Sequence, residues 1–108
     1  MLEVKFLEKK KSADGLAEMK RYQIGRYLVN VEDEEGRDRY IEARPDYSKG
    51  ENFLPDIHIE REHLWKGKAE VKVGTTSYGS LNVEDIQKVI AGYNEAIEVA
   101  QIIKEKFL

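Results

Sequence analysis

The sequence of 108 residues contains no cysteine, two prolines and two histidines. Without cysteine, the chain has no disulfide, no thiol nucleophile and no cysteine–zinc site, and this composition fits the reducing cytoplasm. No apolar run approaches the length of about 18 residues that a membrane span needs. The N-terminus, from Met1 to Phe6, lacks the pattern of a secretory signal. We therefore expect a cytoplasmic protein that makes no membrane contact.

Charged residues are abundant at 36% of the chain, hydrophobic residues make up 41%, and the formal net charge is −3. A chain of this length has room for one hydrophobic core, so we expect residues 1–108 to form a single domain. Duplex nucleic acid binds strongly basic surfaces because the affinity comes from phosphate neutralisation. The net negative charge therefore disfavours duplex nucleic acid as a partner.

Apolar and polar residues alternate along most of the first three quarters of the chain, which is typical of strands with one buried face. Asp14-Gly15 and Gly36 are expected in hairpin turns. Residues 16–22 also suit a short helix, but the turn before them favours a strand. The predicted strands cover about 2–8, 16–23, 26–32, 38–43, 55–60 and 68–75.

The last quarter of the chain predicts one long helix over about residues 83–106, which Asn82 would cap. Apolar residues at helical spacing form one stripe: Ile86, Val89, Ile90, Tyr93, Ala96, Ile97, Ala100 and Phe107. We expect this stripe to cover the sheet. The predicted fold is therefore an α+β domain, with an antiparallel meander of roughly four to five strands and the helix packed on one face.

Two apolar residues, Val99 and Ile102, fall on the far side of the helix from the predicted stripe. Single apolar residues at a surface are common and need no explanation. Alternatively, they form a second apolar strip beside the small residue Gly92, where another copy of the chain can approach closely. On this interpretation Gly92, Val99 and Ile102 are candidate partner-binding residues of a homodimer.

The sequence contains no recognisable catalytic constellation, and we predict no catalytic residue, no metal site and no cofactor. Asp56, His58, Glu60 and Glu62 alternate along one predicted strand and could project from one face towards a divalent ion. Neighbouring positions on that face are nearly 7 Å apart, so a tight site would need ligands from another strand. We interpret them as a solvated polar face.

Aromatic and basic residues are adjacent at several places, as in proteins that stack single-stranded bases on aromatic rings. The alternative is that the rings fill the edge of the core and basic side chains pack over them. The candidate nucleic-acid residues are Arg21, Tyr22, Arg26, Tyr27, Arg39, Tyr40, Trp65 and Lys66.

Residues 74–108, which begin GTTSYGSLNVEDIQKVI, resemble the C-terminal part of a set of small uncharacterised proteins from phages and mobile elements of Gram-positive bacteria. That resemblance implies no activity and no site residue. The predicted order of elements is also similar in outline to the positive-cofactor-4-like single-strand-binding proteins, which work as dimers. We therefore expect a non-catalytic interaction module that forms a homodimer or binds another protein, the alternative being a single-stranded nucleic-acid binder that uses its sheet.

Overall fold

The computed structural model describes residues 2–49, 53–63 and 66–108 and contains one sheet and one long helix. The elements are β1 (Val4–Lys11), β2 (Ala17–Ile24), β3 (Tyr27–Glu34), β4 (Tyr40–Pro45), a 3-10 turn (Tyr47–Lys49), β5 (Ile57–His63), β6 (Lys66–Val73) and α1 (Val83–Lys106).

The sheet has six strands in sequence order, and each strand is antiparallel to its neighbour. The predicted meander is confirmed, but the sheet is larger than the four to five strands expected, because every predicted strand segment joins it. The strand prediction for residues 16–22 is also confirmed, since they lie mostly in β2. Between β4 and β5, the described residues form one ladder pair, Ala43 with Ile57.

The first two predicted hairpin turns are present. Gly15 and Gly36 have φ angles of 74° and 81°, in the left-handed region where a side chain would be strained. The first of these turns is closed by a hydrogen bond of 2.9 Å from Gly15 N–H to the Ser12 carbonyl. These turns set the register of the two hairpins.

The alternation seen in the sequence places one face of the sheet against α1. In β3 the side chains of Tyr27, Val29 and Val31 are buried, and their register partners in β2 and β4 share that face. The buried core cluster contains Ile24, Tyr27, Val29, Val31, Ile41, Ala43, Ile57, Ala96, Val99, Ile102 and Ile103. The core is therefore a single layer of side chains between the sheet and the helix.

Helix α1 begins and ends where the sequence predicts. The Asn82 side chain accepts a hydrogen bond of 2.8 Å from the backbone N–H of Asp85, which satisfies one of the free donors of the first turn. Glu84 and Asp85 lie in the first turn and Lys104 and Lys106 in the last, which suits the helix dipole. Among the described residues, no helix is both long and apolar enough to cross a bilayer.

Polar contacts fix α1 to the first strands. The Glu95 carboxylate accepts hydrogen bonds from the backbone N–H of Arg26 at 2.7 Å and from its Nε at 2.9 Å. Glu98 accepts a bond of 2.6 Å from the backbone N–H of Leu2. These two glutamates hold the middle of the helix to the β2–β3 turn and to the start of the sheet.

Candidate interaction surfaces

The side of α1 that faces away from the sheet carries large aliphatic side chains. Val83 is 75% exposed, Ile86 44%, Ile90 55% and Ile97 47%. We call these four residues the outer stripe. Most of the aliphatic residues of the core are less than 10% exposed, so the outer stripe is a second apolar surface on the same helix and the sheet leaves it uncovered.

The buried face of α1 differs from the one predicted. Ala96 and Ala100 of the predicted stripe are buried, but Ile86, Ile90 and Ile97 belong to the outer stripe. The helix instead turns Val99, Ile102 and Ile103 towards the sheet, beside its smallest residues. Small side chains permit the close approach of the backbone that packing on a sheet requires.

The predicted partner-binding residues Gly92, Val99 and Ile102 are therefore corrected to core residues. Val99 is 0% and Ile102 4% exposed. Gly92 contacts the chain just before β5, where a Cβ atom on Gly92 would lie 2.5 Å from the Phe53 carbonyl oxygen. All three residues hold α1 against the rest of the chain, so they are not available to a partner.

Uncharged polar residues flank the outer stripe. Gln87, Asn94 and Gln101 are exposed and recur at intervals of seven residues along α1. Tyr93 lies at the border of the stripe, and its hydroxyl accepts a hydrogen bond of 3.0 Å from the backbone N–H of Thr76. From Val83 to Gln101 this side of the helix has no charged residue, although 36% of the chain is charged.

The structure separates the predicted nucleic-acid residues. Tyr27 is fully buried in the core. On the helix side of the sheet, Tyr22 contacts Phe6 edge to face and Phe107 at a tilt, with ring-centroid distances of 5.6 and 4.9 Å. Arg26 is bound to Glu95. The predicted aromatic and basic face is therefore not formed by these residues.

The remaining candidates lie apart. Arg21 is on the open face of the sheet, with its Nε 2.9 Å from the Asn30 side-chain oxygen. Tyr40 begins β4 and is 37% exposed. Arg39 binds Asp33 with an Nε–Oδ1 distance of 2.8 Å. Lys66 begins β6 but its side chain, like the whole of Trp65, lies outside the described residues.

On the open face of the sheet, positively charged side chains lie close to negatively charged ones. The Lys72 ammonium lies 2.9 Å from Glu60 and 3.8 Å from Glu70, and the Glu60 hydrogen bond and charge, followed by the Glu70 charge, raise the pKa of Lys72. The ladder places Lys72 directly opposite His58. The Lys72 ammonium therefore occupies the position from which a metal site at His58 would need a further ligand. The described residues contain no group of three or more metal-ligating side chains.

An open groove of about 560 Å³ lies at the C-terminal end of α1. Four basic residues line it together with Asp38: Arg39, Arg61, Lys68 and Lys104. Arg61 is held in place because its guanidinium donates to the carbonyls of Gly67 and Arg39. This cationic groove is a local positive feature on a chain with a net charge of −3.

Comparisons of the chain with protein-family models, with curated proteins and with solved structures found no match. The geometry of these surfaces is therefore the basis for assigning a function.

Proposed function

We propose that the protein is a small, non-catalytic interaction module that contacts its partner through the outer stripe of α1. The observation that carries the proposal is the exposure of four aliphatic side chains in a row on a helix side without charge. Contiguous apolar surface of this kind commonly marks a contact site in soluble proteins. The absence of cysteine supports a cytoplasmic location for this function.

The energy available from this surface is modest. Each residue of the outer stripe is near half exposed or more, and completing its burial contributes roughly 1 kcal/mol. The sum of about 4 kcal/mol is comparable to the low end of the entropy cost of association. We therefore expect a weak contact, which polar residues around the stripe would supplement.

Site-specific photocrosslinking tests the proposed surface. A benzoylphenylalanine at Ile90 in the outer stripe is compared with one at Glu42, an exposed position on the open face of the sheet. In the cells that make the protein, irradiation is expected to give protein adducts from position 90 and few from position 42. Equal adducts from both positions, or none from position 90, would contradict the proposal.

A homodimer is the form of this function that the sequence predicts. The surface for it is the outer stripe rather than Val99 and Ile102, because those two side chains are buried against the sheet. The resemblance of residues 74–108 to proteins of phages and mobile elements supports an origin in such an element, and it adds no activity.

The second candidate function is the binding of single-stranded nucleic acid. The cationic groove favours it, because basic side chains neutralise phosphates. Titration of a fluorescent oligonucleotide at low and high salt separates the two candidates. Binding that is lost at high salt and in Lys104→Gln would favour the nucleic-acid function, whereas no binding at low salt would exclude it.

A further inference from the structure

We propose that the partner of the outer stripe is a second copy of this chain, and that the two copies pair helix to helix in antiparallel orientation. This inference rests on the proposed function and names the partner of the same surface. The two-fold axis of the pair would pass between Tyr93 and Asn94.

The spacing of the outer side of α1 is that of a helix–helix seam. Val83, Ile90 and Ile97 are seven residues apart, and Ile86 follows Val83 by three. Apolar residues at this spacing, with β-branched residues at the first position of each heptad, are typical of paired helices. The face that packs on the sheet is instead rich in small residues, with Gly92, Ala96 and Ala100. The stripe therefore matches another helix better than a sheet or a flat surface.

An antiparallel pair centred between Tyr93 and Asn94 makes the stripe self-complementary. Ile90 of each copy then lies opposite Ile97 of the other, and Ile86 lies opposite Gln101. Val83 lies opposite Lys104, whose aliphatic stem extends the seam to the end of the helix. Both copies contribute the same patch, as a closed two-fold interface requires.

Charge favours the same arrangement. The stripe has no charged residue between Val83 and Gln101, so two copies meet without repulsion at the seam. The two ends of α1 differ, since Glu84 is in the first turn and Lys104 and Lys106 are in the last. In an antiparallel pair, the acidic first turn of one helix lies beside the basic last turn of the other, and the two helix dipoles oppose each other. In a parallel pair, ends of like charge lie together.

The size of the seam indicates a weak dimer. From Val83 to Lys104 the helix rises about 32 Å, at a width of about 10 Å. The resulting contact is smaller than the ~800 Å² that each partner contributes to a stable complex. We therefore expect a dissociation constant of about 0.1–1 mM, and a concentration series is needed to observe the dimer.

Because the chain has no cysteine, single cysteines can report the register. Asn94→Cys is compared with its matched control Gln87→Cys, which is also exposed and lies one heptad earlier on the same side of α1. In the antiparallel pair the two copies of position 94 adjoin the axis, while the two copies of position 87 are about 20 Å apart. A disulfide needs Cα atoms within about 7 Å.

Under mild oxidation we expect Asn94→Cys to form a disulfide-linked dimer at least about tenfold faster than Gln87→Cys. Sedimentation of the unmodified chain from about 1 to 300 µM should show the mass rising from 12.5 kDa towards twice that value. Ile90→Lys should abolish this rise and leave the circular dichroism spectrum unchanged, because Ile90 is 55% exposed.

Equal rates of disulfide formation at positions 87 and 94 would overturn the antiparallel register. A chain that stays monomeric at every concentration would show that its partner is not a second copy. If the monomer still gives adducts to a different protein from position 90, this inference fails and the proposed function stands. Binding of that monomer to phospholipid vesicles would overturn the inference equally. If position 90 gives no adduct at all, both fail.

Discussion

Tyr27 shows how a residue predicted for ligand binding serves the core instead. Among the described residues it is the largest fully buried side chain, and its hydroxyl donates a hydrogen bond of 2.5 Å to the Pro55 carbonyl. This bond joins β3 to the segment just before β5. Burial, followed by the charges of Glu95 and Asp56, raises the pKa of Tyr27 far above its usual value. The phenol is therefore held neutral in the folded protein.

Tyr27→Phe should lower the free energy of unfolding by about 1–3 kcal/mol, because the buried Pro55 carbonyl loses its donor. Urea denaturation at neutral pH measures the change. Tyr22→Phe is the control, since Tyr22 packs through its ring, and that change should be nearly neutral. Equal losses in the two variants would contradict the role of the Tyr27 hydroxyl.

The same residue predicts a dependence on alkaline pH. A folded-state pKa above the unfolded value of about 10 means that the unfolded chain loses the phenol proton more readily. Stability from this group is therefore complete below about pH 10 and decreases as the pH rises further. The urea midpoint should fall less between pH 8 and pH 11 in Tyr27→Phe than in the unmodified chain. An identical fall would show that the phenol is not the group responsible.

Gly92→Ala separates packing from helix propensity. Alanine is the better helix former by about 1 kcal/mol, but its Cβ would lie 2.5 Å from the Phe53 carbonyl oxygen. Because that oxygen belongs to the backbone, α1 or the chain at Phe53 must shift, which costs about 1–3 kcal/mol. We expect a lower melting temperature for Gly92→Ala and an equal or higher one for the exposed control Asn94→Ala. If Gly92→Ala instead raises the melting temperature, the backbone of α1 lies farther from the Phe53 carbonyl than the structure places it.

At the scale of elements, the strands and the ends of the helix could be predicted because each has a local signal. In a strand, apolar and polar residues that alternate with a period of two show directly which face is buried. Asn82 and the charged residues in the first and last turns mark the two ends of α1. The face of α1 could not be predicted in the same way. The helix has two apolar stripes, and its periodicity does not state which one the sheet covers. Its regular spacing predicts burial of the stripe that includes Ile86, Ile90 and Ile97, whereas the sheet covers the stripe with the smaller residues.

The sequence could not show which of the nucleic-acid candidates lie on the same face, for a related geometric reason. Neighbouring residues of a strand point to opposite faces, so a pair such as Arg21 and Tyr22 cannot share a surface within β2. Only the register between strands shows which side chains lie together, and that register depends on the whole sheet. Adjacency of aromatic and basic residues in the sequence is therefore weak evidence for a joint site in β-structure.

The two faces of α1 can be distinguished by a matched pair of substitutions. Val99→Gln places an amide in the core at a residue that is 0% exposed, and Ile97→Gln changes a residue that is 47% exposed. We expect Val99→Gln to cost about 3 kcal/mol or more and Ile97→Gln less than about 1 kcal/mol. Denaturation at low micromolar concentration, where the proposed dimer is dissociated, measures both. The reverse order would mean that the helix turns its other face to the sheet.

At the scale of the whole molecule, the sheet has two unequal parts. Strands β1 to β4 pair along most of their length, and β5 pairs along β6, but the described residues join the two parts through the pair of Ala43 and Ile57. Arg61 bridges the parts beyond that pair, since it donates to the Arg39 carbonyl in front of β4 and to the Gly67 carbonyl in β6. The radius of gyration of 15.3 Å exceeds the value of about 13 Å typical of a compact domain of 100 residues.

This division predicts that the β5–β6 hairpin opens at a lower free energy than β1–β4. Arg61→Met keeps the apolar stem but removes both hydrogen bonds, so the amides of β5 and β6 should exchange with solvent deuterium about tenfold faster, which corresponds to about 1.4 kcal/mol. The amides of β2 and β3 should keep their rates. Arg44→Met on the open face removes the same charge and should change neither group. If Arg61→Met instead accelerates exchange equally in every strand, the sheet opens as one cooperative unit and is not divided at the pair of Ala43 and Ile57.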